Sequence, residues 1–165
     1  MKRKVSVLVL IVVTLLLVFV GIDGLALVSA DGTPATVPFK ATYTTFPEPV
    51  DGGADYFILD IPADGKGTHL GKSNWYAVST VSTATFPWEQ WAEEMFFTAA
   101  NGDQLIGHFA GEAVPNDSGG ANFNGDYWIT EGTGRFTGTT GSGTYDGEAD
   151  EGIGILIFEG TLTNP

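Results

Sequence analysis

The chain has 165 residues, no cysteine, and 20 Asp and Glu against seven Lys and Arg, a formal net charge of −13. The lack of cysteine excludes disulfide scaffolds, thiolate metal sites and cysteine nucleophiles, and so acidic a chain repels nucleic acid and anionic lipid. The length suffices for one domain with a substantial core.

Lys2, Arg3 and Lys4 form a positive start, Val5 to Val20 is apolar apart from Ser6 and Thr14, and Val28-Ser29-Ala30 follows. This is the layout of a signal peptide. The apolar run is 16 residues, short of the roughly 20 that span a bilayer, so cleavage after Ala30 is expected rather than retention as an anchor. The protein is then secreted or periplasmic and free of the membrane. Residues 31–165 carry four basic residues (Lys40, Lys66, Lys72 and Arg135) against nineteen acids, a net charge of −15. Residues 31–37 read as a flexible leader into a domain at 38–165.

Turn signals then recur at short intervals: Asp51-Gly-Gly53, Asp64-Gly65, Asn101-Gly102, Ser118-Gly-Gly120, Asn124-Gly125 and Asp146-Gly147. Runs rich in Val, Ile, Thr, Tyr and Phe separate them, the pattern of an all-β sandwich or barrel. About eight strands are expected, near 37–45, 55–61, 67–72, 74–82, 93–100, 103–113, 122–130 and 142–158. The last divides near Gly152, and fusing 55–61 with 67–72 across Pro62 restores the count of eight. In the first, Phe39, Ala41 and Tyr43 alternate with Lys40, Thr42 and Thr44, one dry face and one wet. The best helix candidate is Pro87 to Glu94, with proline at a first helical position. Asn101-Gly102 suits a type I′ hairpin turn. Ile153 to Phe158 is apolar on both faces with no long helix to cover it, which points to burial against another copy of the chain or under the chain's own loops.

The most distinctive stretch is Gly132-Thr-Gly-Arg-Phe-Thr-Gly-Thr-Thr-Gly141. It lacks the Gly-x-Gly-x-x-Gly spacing of a nucleotide loop, and no helix follows. With Ile129-Thr-Glu131 before it and Phe158-Glu-Gly-Thr-Leu162 after, it resembles the allene oxide cyclase and dirigent group of β-barrels, with Glu131 in place of a glycine and Thr139 in place of an alanine. Gly65-Lys-Gly-Thr-His-Leu-Gly71 and Phe97-Thr-Ala-Ala-Asn-Gly-Asp103 resemble exported bacterial members of that group. The resemblance covers about residues 38–163. It implies an eight-stranded antiparallel barrel of the calycin type, often trimeric, with a cavity for a hydrophobic small molecule. No catalytic residue of those families matches position by position here.

Five residues are candidates for contacting a ligand. Arg135 either pairs with an acid and pins its turn or meets the ligand. Trp88 and Trp91, near Phe86, either pack over a barrel end or close a cavity. Tyr43 lies on the dry face of the first strand. His108 shares a strand face with Gln104, Ile106 and Ala110. His108 and His69 lack metal-ligand spacing, and Thr140-Gly-Ser-Gly143 lacks the flanks of a nucleophile elbow. Asp146, Glu148 and Asp150 alternate on one strand face, either solvated or weakly calcium-binding. Asp117 and Asp126, with Asn116, Asn122 and Asn124, form a second such cluster.

These features predict a secreted, non-catalytic barrel, without cofactor or bound metal, that binds an apolar small molecule or only self-associates. The alternatives are an isomerase or cyclase acting on an apolar substrate and an acidic calcium-binding surface protein.

Overall fold

The computed structural model describes residues 34–164; the segment read as a signal peptide lies outside them. Among the described residues there are nine antiparallel strands: β1 (Thr36–Thr45), β2 (Glu48–Gly52), β3 (Tyr56–Gly67), β4 (Gly71–Ser82), β5 (Trp88–Ala99), β6 (Gln104–Pro115), β7 (Ala121–Gly132), β8 (Thr140–Asp150) and β9 (Ile153–Thr163). Neighbours in space are mostly neighbours in sequence, in the order β1-β9-β8-β7-β6-β5-β4-β3-β2. A further pairing of β1 Ala41–Thr45 with β3 Ala63–Gly67 closes the sheet into an eight-stranded barrel. The extra strand, β2, pairs with the first half of β3. The ladder already begins at Thr36, opposite Thr163, two residues inside the segment read as leader.

The strand is continuous across Pro62, as the fused reading has it, but it ends earlier: β3 runs from Tyr56 to Gly67, residues 68–70 form the hairpin loop, and Gly71 and Lys72 already belong to β4. Phe46 N–H donates to the Pro62 carbonyl. A strand residue's nitrogen and carbonyl point to the same side, so the nitrogen of Pro62 also faces this flank. There β3 changes partner from β2 to β1, and the missing N–H breaks no ladder bond.

Pro87 to Glu94, the best candidate for a helix, is neither helix nor loop but, from Trp88 on, a strand. Trp88, Gln90 and Ala92 turn inward on β5 and Glu89 and Trp91 turn outward, until a bulge between Ala92 and Met95 leaves Glu93 and Glu94 both exposed. The Asn101-Gly102 turn also differs from expectation. Only Gly102 has positive φ (+89°), and Gly102 N–H donates to the Ala99 carbonyl, so the connection is a longer loop held by Asn101 and Asp103. The two-residue turn with positive φ at both positions is Glu151-Gly152, between Asp150 and Ile153, the geometry that matches strand twist in a tight hairpin.

The interior is aromatic. Phe39, Tyr43, Trp75, Phe97, Tyr127 and Phe158 are almost fully buried in one cluster. Three buried tyrosines each sit across the ladder from a glycine: Tyr43 from Gly65, Tyr127 from Gly143 and Tyr145 from Gly125. At Gly65 and Gly125 the missing side chain makes room for the ring, and at Gly160 for the Tyr127 hydroxyl. A Cβ on Gly65 would stand 2.6 Å from the Tyr43 ring, and one on Gly125 2.8 Å from the Tyr145 ring. These strand glycines thus seat large rings inside a narrow barrel.

One barrel end is plugged. After β7 the glycine-rich run makes a 3₁₀ turn at Gly134–Phe136 that buries Phe136, and Leu70 is buried in the β3–β4 loop. Positive φ at Gly134 (+57°) and Gly138 (+79°) lets the chain reverse there. The opposite end, where β3, β5, β7 and β9 begin, is the mouth.

Candidate functional site

The mouth holds an apolar cavity. Its volume is about 110 Å³, within about 700 Å³ of empty space that includes the opening. For scale, an apolar cavity of roughly 150 Å³ takes a benzene. Trp75, Phe109, Tyr145 and Phe158 come from the core to line it, while Phe57 and Trp88 stand on β3 and β5 with their rings edge to face, centroids 5.8 Å apart. Ala113, Ala121 and Ala149 line it from β6, β7 and β8. The small residues leave the room and the rings supply the walls, the composition of a pre-formed small-molecule site.

Among the described residues no carboxylate, lysine, arginine or histidine lines the cavity. Its polar groups are Thr45, Ser79, Gln90, Tyr145 and the indoles of Trp75 and Trp88, of which the Trp75 N–H is buried with no partner among the described residues. Ser79 Oγ donates to the Trp91 carbonyl at 3.2 Å. Gln90 Nε2 donates to the Tyr145 hydroxyl at 2.8 Å, which leaves that hydroxyl its own proton to donate. Burial pushes the Tyr145 phenol up to about 12, against the pull of the Gln90 hydrogen bond. The phenol is therefore neutral at ordinary pH and acts as a hydrogen-bonding group.

The five residues singled out from the sequence do not converge. Only Trp88 lines the cavity. Tyr43 lies in the packed core, its hydroxyl 2.8 Å from Ser73 Oγ, with its phenol raised to about 12 by burial. Trp91 points to the outer face of β5 because Gln90 and Ala92 point in. His108 is on the outer face of β6, stacked on Trp128 at 5.2 Å between centroids. Arg135 is at the plugged end. Its Nη2 donates to the His69 carbonyl at 3.0 Å, its Nε lies 3.8 Å from Asp103 Oδ2, and its guanidinium rests 4.8 Å from the centre of the Phe136 ring. It thus pins the 3₁₀ turn to two neighbouring loops. The expected aromatic group around Trp88 disperses likewise: Phe86 is 73% exposed and Trp91 faces outward.

Gln90, Tyr145 and the small lining residues were not singled out from the sequence, although a signal for Tyr145 was there. Asp146, Glu148 and Asp150 mark the wet face of β8 and are exposed, so Tyr145, Gly147 and Ala149 must face in. On the outer surface these acids stand beside Ile157, Ile155 and Ile153 of β9. Asn116 organises the β6–β7 loop, its Oδ1 accepting from Ser118 N–H, Ser118 Oγ and Gly120 N–H. No group of three or more His, Asp or Glu is placed to hold a metal ion among the described residues.

No protein-family model, curated protein or solved structure matches this chain.

Proposed function

We propose that this protein is an exported, non-catalytic barrel that takes a neutral apolar molecule, or the apolar end of one, into its mouth. The observation that carries the reading is a ring-lined cavity with no charged side chain in its wall. The resemblance to the allene oxide cyclase and dirigent group points the same way. A buried carboxylate would find no cation there, and its desolvation would go uncompensated. The polar contacts on offer are all neutral, the Gln90–Tyr145 pair and the unpartnered Trp75 indole N–H among them.

The test uses two ligands of equal chain length, 2-decanone and decanoate, read by the fluorescence of Trp88 and Trp75. Saturable binding of the ketone is expected, with decanoate at least about tenfold weaker, since even partial burial of an unpaired charge exceeds 1.4 kcal/mol. Ala113→Phe, which fills the cavity from β6, should abolish ketone binding while the protein stays folded. Failure of every neutral apolar probe to bind, or unchanged binding by Ala113→Phe, would overturn the reading.

The proposal includes self-association, with a trimer as the first expectation. What supports it is the outer face of β9, where Ile153 (55% exposed) and Ile155 (41%) stand in the open while Leu156 is buried inward. Ile155→Lys should therefore give folded monomers, whereas Leu156 is no surface position. The neighbouring acids of β8 oppose association, so the oligomer should tighten with salt. Light scattering that shows a monomer at micromolar concentration, in low and high salt alike, would refute this part.

A further inference from the structure

All three lysines among the described residues line one groove. Lys40 on β1, Lys66 on β3 and Lys72 on β4 border an open trough of about 790 Å³ along the seam where β1 closes the barrel against β3. Thr42, Thr44 and Thr68 contribute to its walls. The remaining basic side chain, Arg135, lies next door, bonded to the carbonyl of His69 in the β3–β4 loop. The groove belongs to the plugged half of the barrel and shares no lining residue with the mouth cavity.

This placement runs against the chain's own electrostatics. With eighteen carboxylates between residues 34 and 164, the favourable position for a lysine is beside an acid. Lys40 takes one, pairing with Glu159. Lys66 and Lys72 instead stand directly opposite each other across the β3–β4 ladder, and neither forms an ion pair among the described residues. Like charges in that relation are destabilising. The one carboxylate in the groove, Asp64, accepts a hydrogen bond from the Asn74 side chain.

We propose that the groove is a second binding site, for a multivalent tetrahedral oxyanion: a phosphate or sulfate group, free or carried on a larger molecule. Seated between Lys66 and Lys72, a dianion turns their mutual repulsion into two charge-assisted hydrogen bonds. The hydroxyls of Thr42 and Thr44 offer neutral donors beside it, whereas that of Thr68 already donates to the Lys40 carbonyl. The surrounding acidic surface repels anions in general, so the site selects ligands whose charge is concentrated enough to meet both lysines at once.

The test follows the amide resonances of Thr42, Lys66 and Lys72 in the labelled protein at low ionic strength. Inorganic pyrophosphate is one probe, inorganic sulfate a second, and sodium chloride at matched ionic strength the control. Saturable shifts at these residues are expected with pyrophosphate, with affinity at least about tenfold weaker in the double variant Lys66→Gln/Lys72→Gln. Equal response to sulfate identifies a site for a single dianion, and response to pyrophosphate alone identifies one for linked phosphates. The double variant should melt no lower than the wild type, because it removes a repulsion. Identical shifts with chloride, no shifts with either oxyanion, or unchanged pyrophosphate affinity in the double variant would each overturn the proposal.

Discussion

Replacing Phe158 by alanine is expected to remove about 3–5 kcal/mol of stability, the usual cost of truncating a core phenylalanine. Phe158 is the hub of the interior. Its ring lies 4.9 Å from Phe97, 5.3 Å from Tyr127, 5.7 Å from Trp75, 6.2 Å from Tyr145 and 6.3 Å from Tyr43, measured between centroids. Those rings are carried by β1, β4, β5, β7 and β8, all bound into one closed ladder. The barrel cannot shrink around the space left behind, so the cavity term stays near its full value. Small domains have about 5–15 kcal/mol in total, so the variant should be marginal near body temperature. Phe158 also lines the mouth cavity, and its loss deepens that cavity. Apolar probes should therefore bind the folded variant at least as tightly as the wild type. Urea unfolding measures the first effect, and Thr161→Ala on the same strand, at an exposed position away from the apolar face, is the control expected near zero. A loss below about 1.5 kcal/mol for Phe158→Ala would mean the interior repacks, contrary to a rigid closed ladder.

The barrel was legible in the sequence wherever alternation is unbroken. Phe39, Ala41 and Tyr43 against Lys40, Thr42 and Thr44 give the first strand its two faces, and the structure keeps them. β5 misled because its period is broken by the bulge at Glu93 and Glu94, and because Trp88 and Trp91 stand three apart as they would on a helix. The mouth cavity was only partly visible. Aromatic supply pointed to Trp88, but Trp91, His108 and Arg135 could be assigned to the outer face or the plug only once the parity of each strand and the end of each turn were known. The lysine groove was not legible at all. Lys66 and Lys72 meet through the β3–β4 hairpin, and Lys40 joins them only because β1 pairs with β3 at the closure of the barrel, a contact set by the whole sheet and by no local pattern.

Alkaline pH should unfold this protein by forcing its buried tyrosines to ionise. Burial raises the phenols of Tyr43 and Tyr145 from 10.0 to about 12 and raises that of Tyr127 further, with no hydrogen-bond partner for the Tyr127 hydroxyl among the described residues. A group whose folded pKa lies above its unfolded value contributes stability that is fully present below the unfolded pKa and is lost as pH rises towards the folded one. For Tyr43 and Tyr145 the window is therefore pH 10 to 12. Across it each phenol costs about 1.4 kcal/mol of stability per pH unit, on the order of 2–3 kcal/mol when the window is crossed. Two such residues remove a large share of a typical domain's total. The urea midpoint should be flat from pH 7 to 9 and fall steeply above pH 10, with phenolate absorbance from the buried rings appearing only as the barrel opens. Tyr127→Phe separates the causes. It deletes an unpartnered buried hydroxyl, so it should hold or raise stability at neutral pH and flatten the alkaline fall, whereas Tyr43→Phe breaks the bond to Ser73 and should be less stable at neutral pH. A midpoint that stays constant up to pH 11.5 would show that the interior admits phenolates, and that the glycine-seated tyrosines are not the closed core described above.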